Sequence, residues 1–309
     1  MTARSGYRFL DPAALARVKN LTLMARGVVE GFITGLHTSP YKGFSVEFAE
    51  HRNYATGDNI RHLDWRMLAR TDRLYVKQYE EETNLRAQIV LDVSRSMMYQ
   101  SGKALTKYHY GAYLTAVLAC LMTRQQDAVG LTTFDEQVRL DMPARTSARH
   151  FGEMMSQLEG LSDELDASPA PAGGQMTHIA QMLHQLAERF KRRCLIVLIS
   201  DLYDDPDAVV RALHHFRHRR HEVILFHVFD QAELDFPFRE TSRFVDMETG
   251  EQLQVDPGFV RDSYREQLQA FIDGYRRSCS ECQVDYVMTH TSVPYDFMLS
   301  RYLSKRSGL

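Results

Sequence analysis

The chain has 309 residues, of which 44% are hydrophobic and 25% charged, as in a folded globular protein with one large domain and an extension, or with two domains. Its formal net charge of −3 gives no global basic field, so neither nucleic acid nor an anionic membrane surface is indicated as a partner. Four cysteines without a dense framework favour a reducing compartment. No secretory pattern opens the chain, and the longest nearly uncharged run, residues 108–123, is too short to span a membrane. We therefore expect a cytoplasmic protein without membrane insertion.

Residues 1–85 are predicted to form an N-terminal α+β extension. A helix is expected from Pro12 to Gly27, and strand-like stretches flank the segment YATGDNIRHLDWRMLAR, residues 54–70. From its residues alone, this segment predicts a short helix capped by Asp58; we favour packing of this helix on the core over a partner-docking surface. No Ser/Gly/Pro-rich linker follows, so we expect the extension to pack on the second domain, residues 86–309.

From residue 86 onward, short apolar runs alternate with longer amphipathic ones, which is typical of strands joined by crossover helices in a mostly parallel sheet. The predicted strands are 88–93, 128–134, 194–200, 222–229 and 283–289, and the predicted helices are 103–122, 148–158, 178–190, 206–218 and 257–278. The run CLIVLIS is apolar on both faces and requires helices on both sides of the sheet. The stretch FDEQVRLDM, residues 134–142, alternates about a two-residue turn and predicts one antiparallel edge strand. The fold class is therefore α/β, doubly wound.

Oxygen-bearing side chains occupy every second position where the first of these strands ends. In IVLDVSRSMM they are Asp92, Ser94 and Ser96, and Asp201 follows another apolar strand. Ligands of an open parallel sheet bind beyond the carboxyl ends of its strands, so the two carboxylates are expected to meet at one rim. Left unpaired, they would repel each other and resist ionisation. Oxygen ligands without His or Cys favour Mg²⁺, Mn²⁺ or Ca²⁺, so the pattern predicts a hard-cation site.

Two alternatives remain open for these residues. Ser and Asp also cap strand ends and helix starts, which would leave a structural protein with a vestigial metal site. An Asp at the tip of a first strand is also the layout of Mg²⁺-dependent phosphohydrolases, but their general acid is a second Asp two residues later, where this chain has Ser94. No Walker loop, dinucleotide fingerprint or nucleophile elbow occurs. We therefore expect a non-catalytic protein, with the phosphohydrolase as the enzymatic alternative.

Other polar clusters have simpler explanations. The histidine-rich stretch LHHFRHRRHE, His214 to His221, could indicate metal or nucleic acid, but cations at a helix C-terminus complement its dipole, and we favour a solvated helix end. Asp204, Asp205 and Asp207 are expected to begin the next helix around Pro206. Cys279 and Cys282 lack the further ligands of a zinc site.

The metal-site pattern resembles the metal-ion-dependent adhesion site of von Willebrand factor type A domains. Asp92-x-Ser94-x-Ser96, Thr177 in GGQMTHIAQML, and Asp201 follow in the order of that motif. The resemblance implies that Ser94, Ser96 and Thr177 are direct hydroxyl ligands of Mg²⁺ (or Mn²⁺ or Ca²⁺). Asp92 and Asp201 would act through water or hydrogen bonds, and a partner's carboxylate would complete the shell. Two residues separate Thr177 from the glycine pair, whereas such loops usually carry the Thr directly after it.

A second resemblance covers most of residues 40–305. YATGDNIRHLDWRMLARTDRLYVKQYEEE ahead of LDVSRSM, together with FVDMETGEQLQVDP, is similar to a large prokaryotic family catalogued as domain of unknown function fifty-eight. The family pairs this signature with a von Willebrand type A-like core, and its members are commonly encoded beside MoxR-type AAA+ ATPases. The resemblance implies a non-catalytic protein-interaction partner of such an ATPase, which assembles or activates client complexes.

Overall fold

The computed structural model describes residues 20–38, 51–53, 75–77, 85–102, 105–167 and 178–306. Contacts divide the chain into a smaller unit, residues 33–84, and a larger one that contains the α/β sheet. In the smaller unit His51–Asn53 (β1) pairs antiparallel with Tyr75–Lys77 (β2). The signature segment 54–70 lies outside the described residues. The described residues up to Phe32 group with the larger unit, and the predicted boundary at residue 85 stays a prediction.

Six strands form the sheet of the larger unit. The strands after β2 are Arg86–Asp92 (β3), Ala128–Phe134 (β4), Val138–Arg145 (β5), Leu195–Ser200 (β6), Glu222–Phe229 (β7), Ser242–Val245 (β8), Gln252–Val255 (β9) and Asp285–His290 (β10). The sheet order is β10-β7-β6-β3-β4-β5, and β8 and β9 form a separate hairpin. Every neighbouring pair in the sheet is parallel except β4 and β5. The predicted mostly parallel sheet with one antiparallel edge strand is confirmed.

Helices cover both faces of the sheet. The described helices are Leu21–Thr38 (α1), Lys107–Arg124 (α2), Ala148–Ala167 (α3), Ile179–Arg189 (α4), Pro206–His218 (α5), Gln231–Asp235 (α6), Pro257–Glu281 (α7) and Tyr295–Arg306 (α8), and Arg95–Met98 is a 3₁₀ turn. On one face α2 approaches Leu91 and Ile199. On the other face α4, α5 and α7 share a buried cluster with Val90 and Leu198. Strands buried on both sides explain why β6 reads as a continuous apolar run.

The predicted end of the N-terminal helix at Gly27 is wrong. The helix α1 continues through Gly27 to Thr38, and residues 12–19 lie outside the described part. Val28, Val29 and Phe32 are buried directly beyond the glycine. Burying such side chains contributes about 1.5–3 kcal/mol each, which outweighs the roughly 1 kcal/mol that a glycine costs inside a helix.

The run at residues 108–123 is a buried helix, as predicted, because nearly all of α2 is shielded from solvent. Among the described residues no helix combines the length and the hydropathy that crossing a bilayer requires.

Candidate metal centre

The candidate site lies where the strand order of the sheet reverses. From β3 the chain continues to β4 on one side, whereas β6 is followed by β7 on the other side, so the switch falls between the neighbours β3 and β6. Leu91 is in register with Ile199. Asp92 therefore ends β3 beside the end of β6, and Asp201 follows directly. Parallel strands bring both carboxylates to one edge, which is the usual ligand position in open α/β sheets.

Asp92 is fully buried and accepts hydrogen bonds on both carboxylate oxygens. Its Oδ1 accepts from the backbone N of Ser94 at 2.9 Å, and its Oδ2 accepts from Ser200 Oγ at 2.5 Å. Burial, together with the nearby charge of Asp201, raises the pKa of Asp92 to about 7 despite these bonds. The carboxylate is thus held in one orientation at a place where its charge is unfavourable without a cation.

Ser94 and Ser96 present their hydroxyls to each other. The 3₁₀ turn that begins at Arg95 places Ser94 Oγ 3.1 Å from Ser96 Oγ. Two hydroxyl oxygens at this separation can contact one ion, because each can turn its lone pairs toward it. Thr177 lies outside the described residues, so its predicted role stays a prediction.

The two carboxylate oxygens of Asp201 differ in their hydrogen bonding. Its Oδ2 accepts from Lys107 Nζ at 2.8 Å, whereas its Oδ1 is buried without a hydrogen-bond partner in the described part of the chain. The backbone bends sharply here, because Leu202 has a left-handed φ of 53°. Such a conformation is unfavourable for a branched side chain and is concentrated at functional sites.

Lys107 is the component that sequence reasoning missed. Its Nζ also donates to Glu233 Oε1 at 2.7 Å, and the residue is 3% exposed. Burial alone would lower the pKa of this ammonium, but Asp201 and Glu233 raise the pKa above its usual range. Lys107 begins α2, where the helix dipole disfavours a cation. A lysine at the first position of an otherwise apolar helix is the signal that could have revealed it.

His227 supports Asp201 from behind. Its Nε2 lies 2.9 Å from the Asp201 backbone carbonyl, so this nitrogen donates and carries the proton. Its Nδ1 then accepts from Tyr286 Oη at 2.8 Å. Burial lowers the pKa of His227 to about 4, so the ring is neutral. Its two hydrogen bonds hold the Asp201 backbone in place.

The residues present fit a hard cation better than a soft one. The donors are an orphaned Asp201 oxygen, the Ser94 and Ser96 hydroxyls and the carboxylate of Asp92, and all of them are oxygens. Within the described ranges, no three His, Cys, Asp or Glu side chains are grouped to hold a metal. Any ion bound here would therefore depend on the serine hydroxyls, as in the motif that the sequence resembles.

An aromatic cavity opens beside this rim. It has a volume of about 560 Å³ and extends from Ser96, Lys107 and Glu233 to the β8–β9 hairpin. Its aromatic lining comprises Tyr99, Tyr203, Phe236, Phe238, Phe244 and Tyr264. The hairpin turns at Gly250, where φ is 76°. The exposed side chains of Val245 and Leu253 at its edge leave apolar surface in solvent next to the candidate site.

Of the aspartates after Asp201, Asp205 and Asp207 begin the next helix, as predicted, whereas Asp204 contacts the start of the preceding one. Asp205 caps α5 by accepting from the backbone N of Asp207 and of Ala208, and Pro206 occupies the first turn. Asp204 Oδ2 accepts from Ala180 N at 2.9 Å. The start of α4 is thereby tied to the loop that carries Asp201.

The histidine-rich stretch is only partly a solvated helix end. His214 and His218 are exposed near the end of α5, in line with the prediction. His215 instead contacts Glu188 and His184 on α4. His221 is buried, a position that the run of charged neighbours did not indicate.

Fold and site together define a mixed α/β protein with a mostly parallel six-stranded sheet and an oxygen-rich, buried rim at its switch point. Residues 50–272 match the family described as "Protein of unknown function DUF58". The chain belongs to this family.

Its relatives share the whole length but little sequence. The chain is 24% identical over 298 residues to the uncharacterized protein Mb1516 of Mycobacterium bovis, covering 96% of this chain and 90% of the relative, and the uncharacterized protein Rv1480 of Mycobacterium tuberculosis matches equally. Among solved structures, the conserved hypothetical protein BatB from Bacteroides thetaiotaomicron is similar with a TM-score of 0.48 and 18% identity, over 73% of this chain and all of that one. An aerotolerance-related membrane protein from Bacteroides fragilis gives a TM-score of 0.46 and 16% identity, over 72% of this chain and 99% of that one.

Proposed function

We propose that this protein is a non-catalytic interaction module whose α/β unit is a von Willebrand factor type A-like domain with a metal-ion-dependent adhesion site. The observation that carries the proposal concerns Asp201, a residue that is only 4% exposed. Its buried Oδ1 has no hydrogen-bond partner among the described residues. A buried, unpaired carboxylate oxygen is costly, and a bound cation removes that cost.

The chain's own residues would hold Mg²⁺, Mn²⁺ or Ca²⁺ in defined roles. Ser94 and Ser96 supply hydroxyl oxygens, with Thr177 as the expected third. Asp92 orients the loop through its bond to the Ser94 backbone N, and Asp201 supplies charge. When bound, the ion would act as a Lewis acid that attracts a partner's carboxylate.

The partner is a protein that presents an acidic side chain, and we place the interaction in the cytoplasm. Exposed Val245, Leu253 and Tyr203 beside the aromatic cavity provide apolar surface for the rest of such an interface. Following the family resemblance, the candidate partner is a MoxR-type AAA+ ATPase that assembles or activates client complexes.

Neither alternative gains a specific observation. The phosphohydrolase needs an acid at position 94, where Ser94 uses its hydroxyl on Ser96. If the metal site is vestigial, the affinity for the partner should be the same with and without the ion.

The test is calorimetric titration of the full chain with a candidate MoxR-type AAA+ ATPase, in Mg²⁺ and in EDTA. Asp92→Ala combined with Ser94→Ala is expected to abolish the Mg²⁺-dependent part of binding while the circular dichroism spectrum stays native. Asp163→Ala, an exposed aspartate on α3, is the matched control and should bind as the wild type does. Binding that is equally strong in EDTA and in the double variant would contradict the proposal.

A further inference from the structure

The described rim already contains one cation of its own. Lys107 Nζ lies between Asp201 Oδ2 at 2.8 Å and Glu233 Oε1 at 2.7 Å, with 4% of the Lys107 side chain and 3% of the Asp201 side chain exposed. An ammonium with two carboxylate partners in so dry a place interacts far more strongly than a surface pair does.

Glu233 is fixed where it receives this charge. It lies on α6, and its Oε2 accepts from the backbone N of Asp230 in a capping box, which leaves Oε1 for Lys107. Lys107 is fixed too, because Gly111, one turn further along α2, packs closely on Leu91 and Ile199 of β3 and β6. The backbone segments that carry Lys107 and Glu233 are thus both held in place at the rim.

We propose that Lys107 is a built-in competitor of the divalent cation, and that its ammonium makes the site bind metal weakly by sharing the carboxylate of Asp201. The proposal rests on the proposed function, since it concerns the same site. A dication held by Asp201 Oδ1 would stand close to the ammonium on Oδ2 and be repelled by it. A partner's carboxylate, by adding negative charge, would favour the ion, so metal and partner would bind cooperatively.

Substitutions of Lys107 and of its partner Glu233 are expected to change the affinity for a divalent cation in opposite directions. Lys107→Met removes the competing charge and is expected to bind Mn²⁺ at least about tenfold more tightly than the wild type. Glu233→Gln leaves the ammonium with Asp201 as its only charged partner among the described residues and should weaken Mn²⁺ binding about fivefold or more. Lys107→Arg keeps the charge and should stay near the wild-type affinity. The probe is Mn²⁺ alone, followed by calorimetry and by electron paramagnetic resonance of the free ion.

Circular dichroism and urea unfolding establish that each variant is folded. Should Lys107→Met not fold, Glu233→Gln decides, and unchanged or tighter Mn²⁺ binding there overturns the proposal. If the wild type and Lys107→Met bind Mn²⁺ with equal affinity, this proposal is overturned but the proposed function stays intact. If neither the wild type nor any variant binds Mn²⁺, the proposed function fails and the inference fails with it.

Discussion

The rim concentrates ionisable side chains in a buried place. Asp92, Asp201 and Lys107 are all buried; Lys107 forms ion pairs with Asp201 and Glu233, whereas Asp92 has only hydrogen bonds. Buried charges of this kind contribute little to stability and are retained for function or specificity. We therefore expect these buried charged residues at the carboxyl edge of β3 and β6 to add little to the free energy of unfolding.

His221 illustrates the opposite case, a buried histidine that serves the fold. Its Nε2 donates to the Phe190 carbonyl at 3.0 Å, and its Nδ1 accepts from the backbone N of Cys194 at 3.3 Å, so the ring is neutral. Burial lowers its pKa, so acidification protonates the unfolded state first and the free energy of unfolding falls as pH drops below the ordinary value of about 6.5.

We expect His221→Asn to reduce this pH-dependent fall in the free energy of unfolding. Urea unfolding at neutral pH and at about one unit below the ordinary histidine pKa should show a smaller difference for the variant than for the wild type. His214→Asn, an exposed neighbour, should leave the wild-type difference unchanged. Identical pH dependence in His221→Asn and the wild type would show that the ring is not held neutral.

Residue patterns identified Asp92, Ser94, Ser96 and Asp201 because each directly follows an apolar strand. They did not identify Ser200, which directly precedes Asp201 on β6, or Lys107 and Glu233, which join the rim from the helices α2 and α6. Ser200 ends a strand as an ordinary polar residue, and Glu233 lies on a five-residue helix that no periodicity reveals.

Among the elements, α2 does most to position the candidate site. A Cβ on Gly111 would lie 2.9 Å from Leu91 Cδ1 and 3.1 Å from Ile199 Cγ2, so a larger residue there would require these side chains or α2 to shift. Leu91 and Ile199 immediately precede the rim on β3 and β6. The distance between α2 and the sheet thus sets where Lys107 meets Asp201.

Gly111→Leu is expected to push α2 away and lower the free energy of unfolding by about 2–3 kcal/mol through overpacking. Gly160→Leu on α3 is the matched control, because nothing lies within 4 Å of a Cβ there, and it should raise stability by about 0.5–1 kcal/mol. Urea unfolding measures both. Equal effects of the two substitutions would refute the close approach.

Element bounds were predictable where the pattern was strong. The strands β4 and β7 and the helix α5 begin and end where predicted, since turn residues or a capping Asp-Pro pair bound them. The helix α8 was not predicted, although Tyr295, Met298, Leu299 and Tyr302 recur at helical spacing and are buried. The helix α1 continues past Gly27 because Val28, Val29 and Phe32 are buried, and this packing could not be read from the sequence.

For the whole molecule, a cation that binds only the folded state must raise its stability. With Mg²⁺ at about ten times its dissociation constant, the free energy of unfolding should rise by about 1.4 kcal/mol, or about 2 °C in Tm. Differential scanning calorimetry in Mg²⁺ and in EDTA checks this.

Asp92→Asn is the informative control. The amide keeps the shape and removes a charge that is unfavourable without metal, so in EDTA this variant should be more stable than the wild type by on the order of 1 kcal/mol. Its response to Mg²⁺ should be lost. A Mg²⁺ shift of wild-type size in Asp92→Asn would place the ion elsewhere.

The sequence by itself determined the α/β class, the antiparallel edge strand and the strand-end residues Asp92 and Asp201, because these follow from local periodicity and from the geometry of parallel sheets. Only the tertiary structure decided that β3 and β6 are neighbours at the switch point and that Lys107 joins Asp201 to Glu233 there. The reason is physical: a hydrogen bond between residues 94 positions apart depends on how helices pack on the sheet, and local sequence carries no record of that packing.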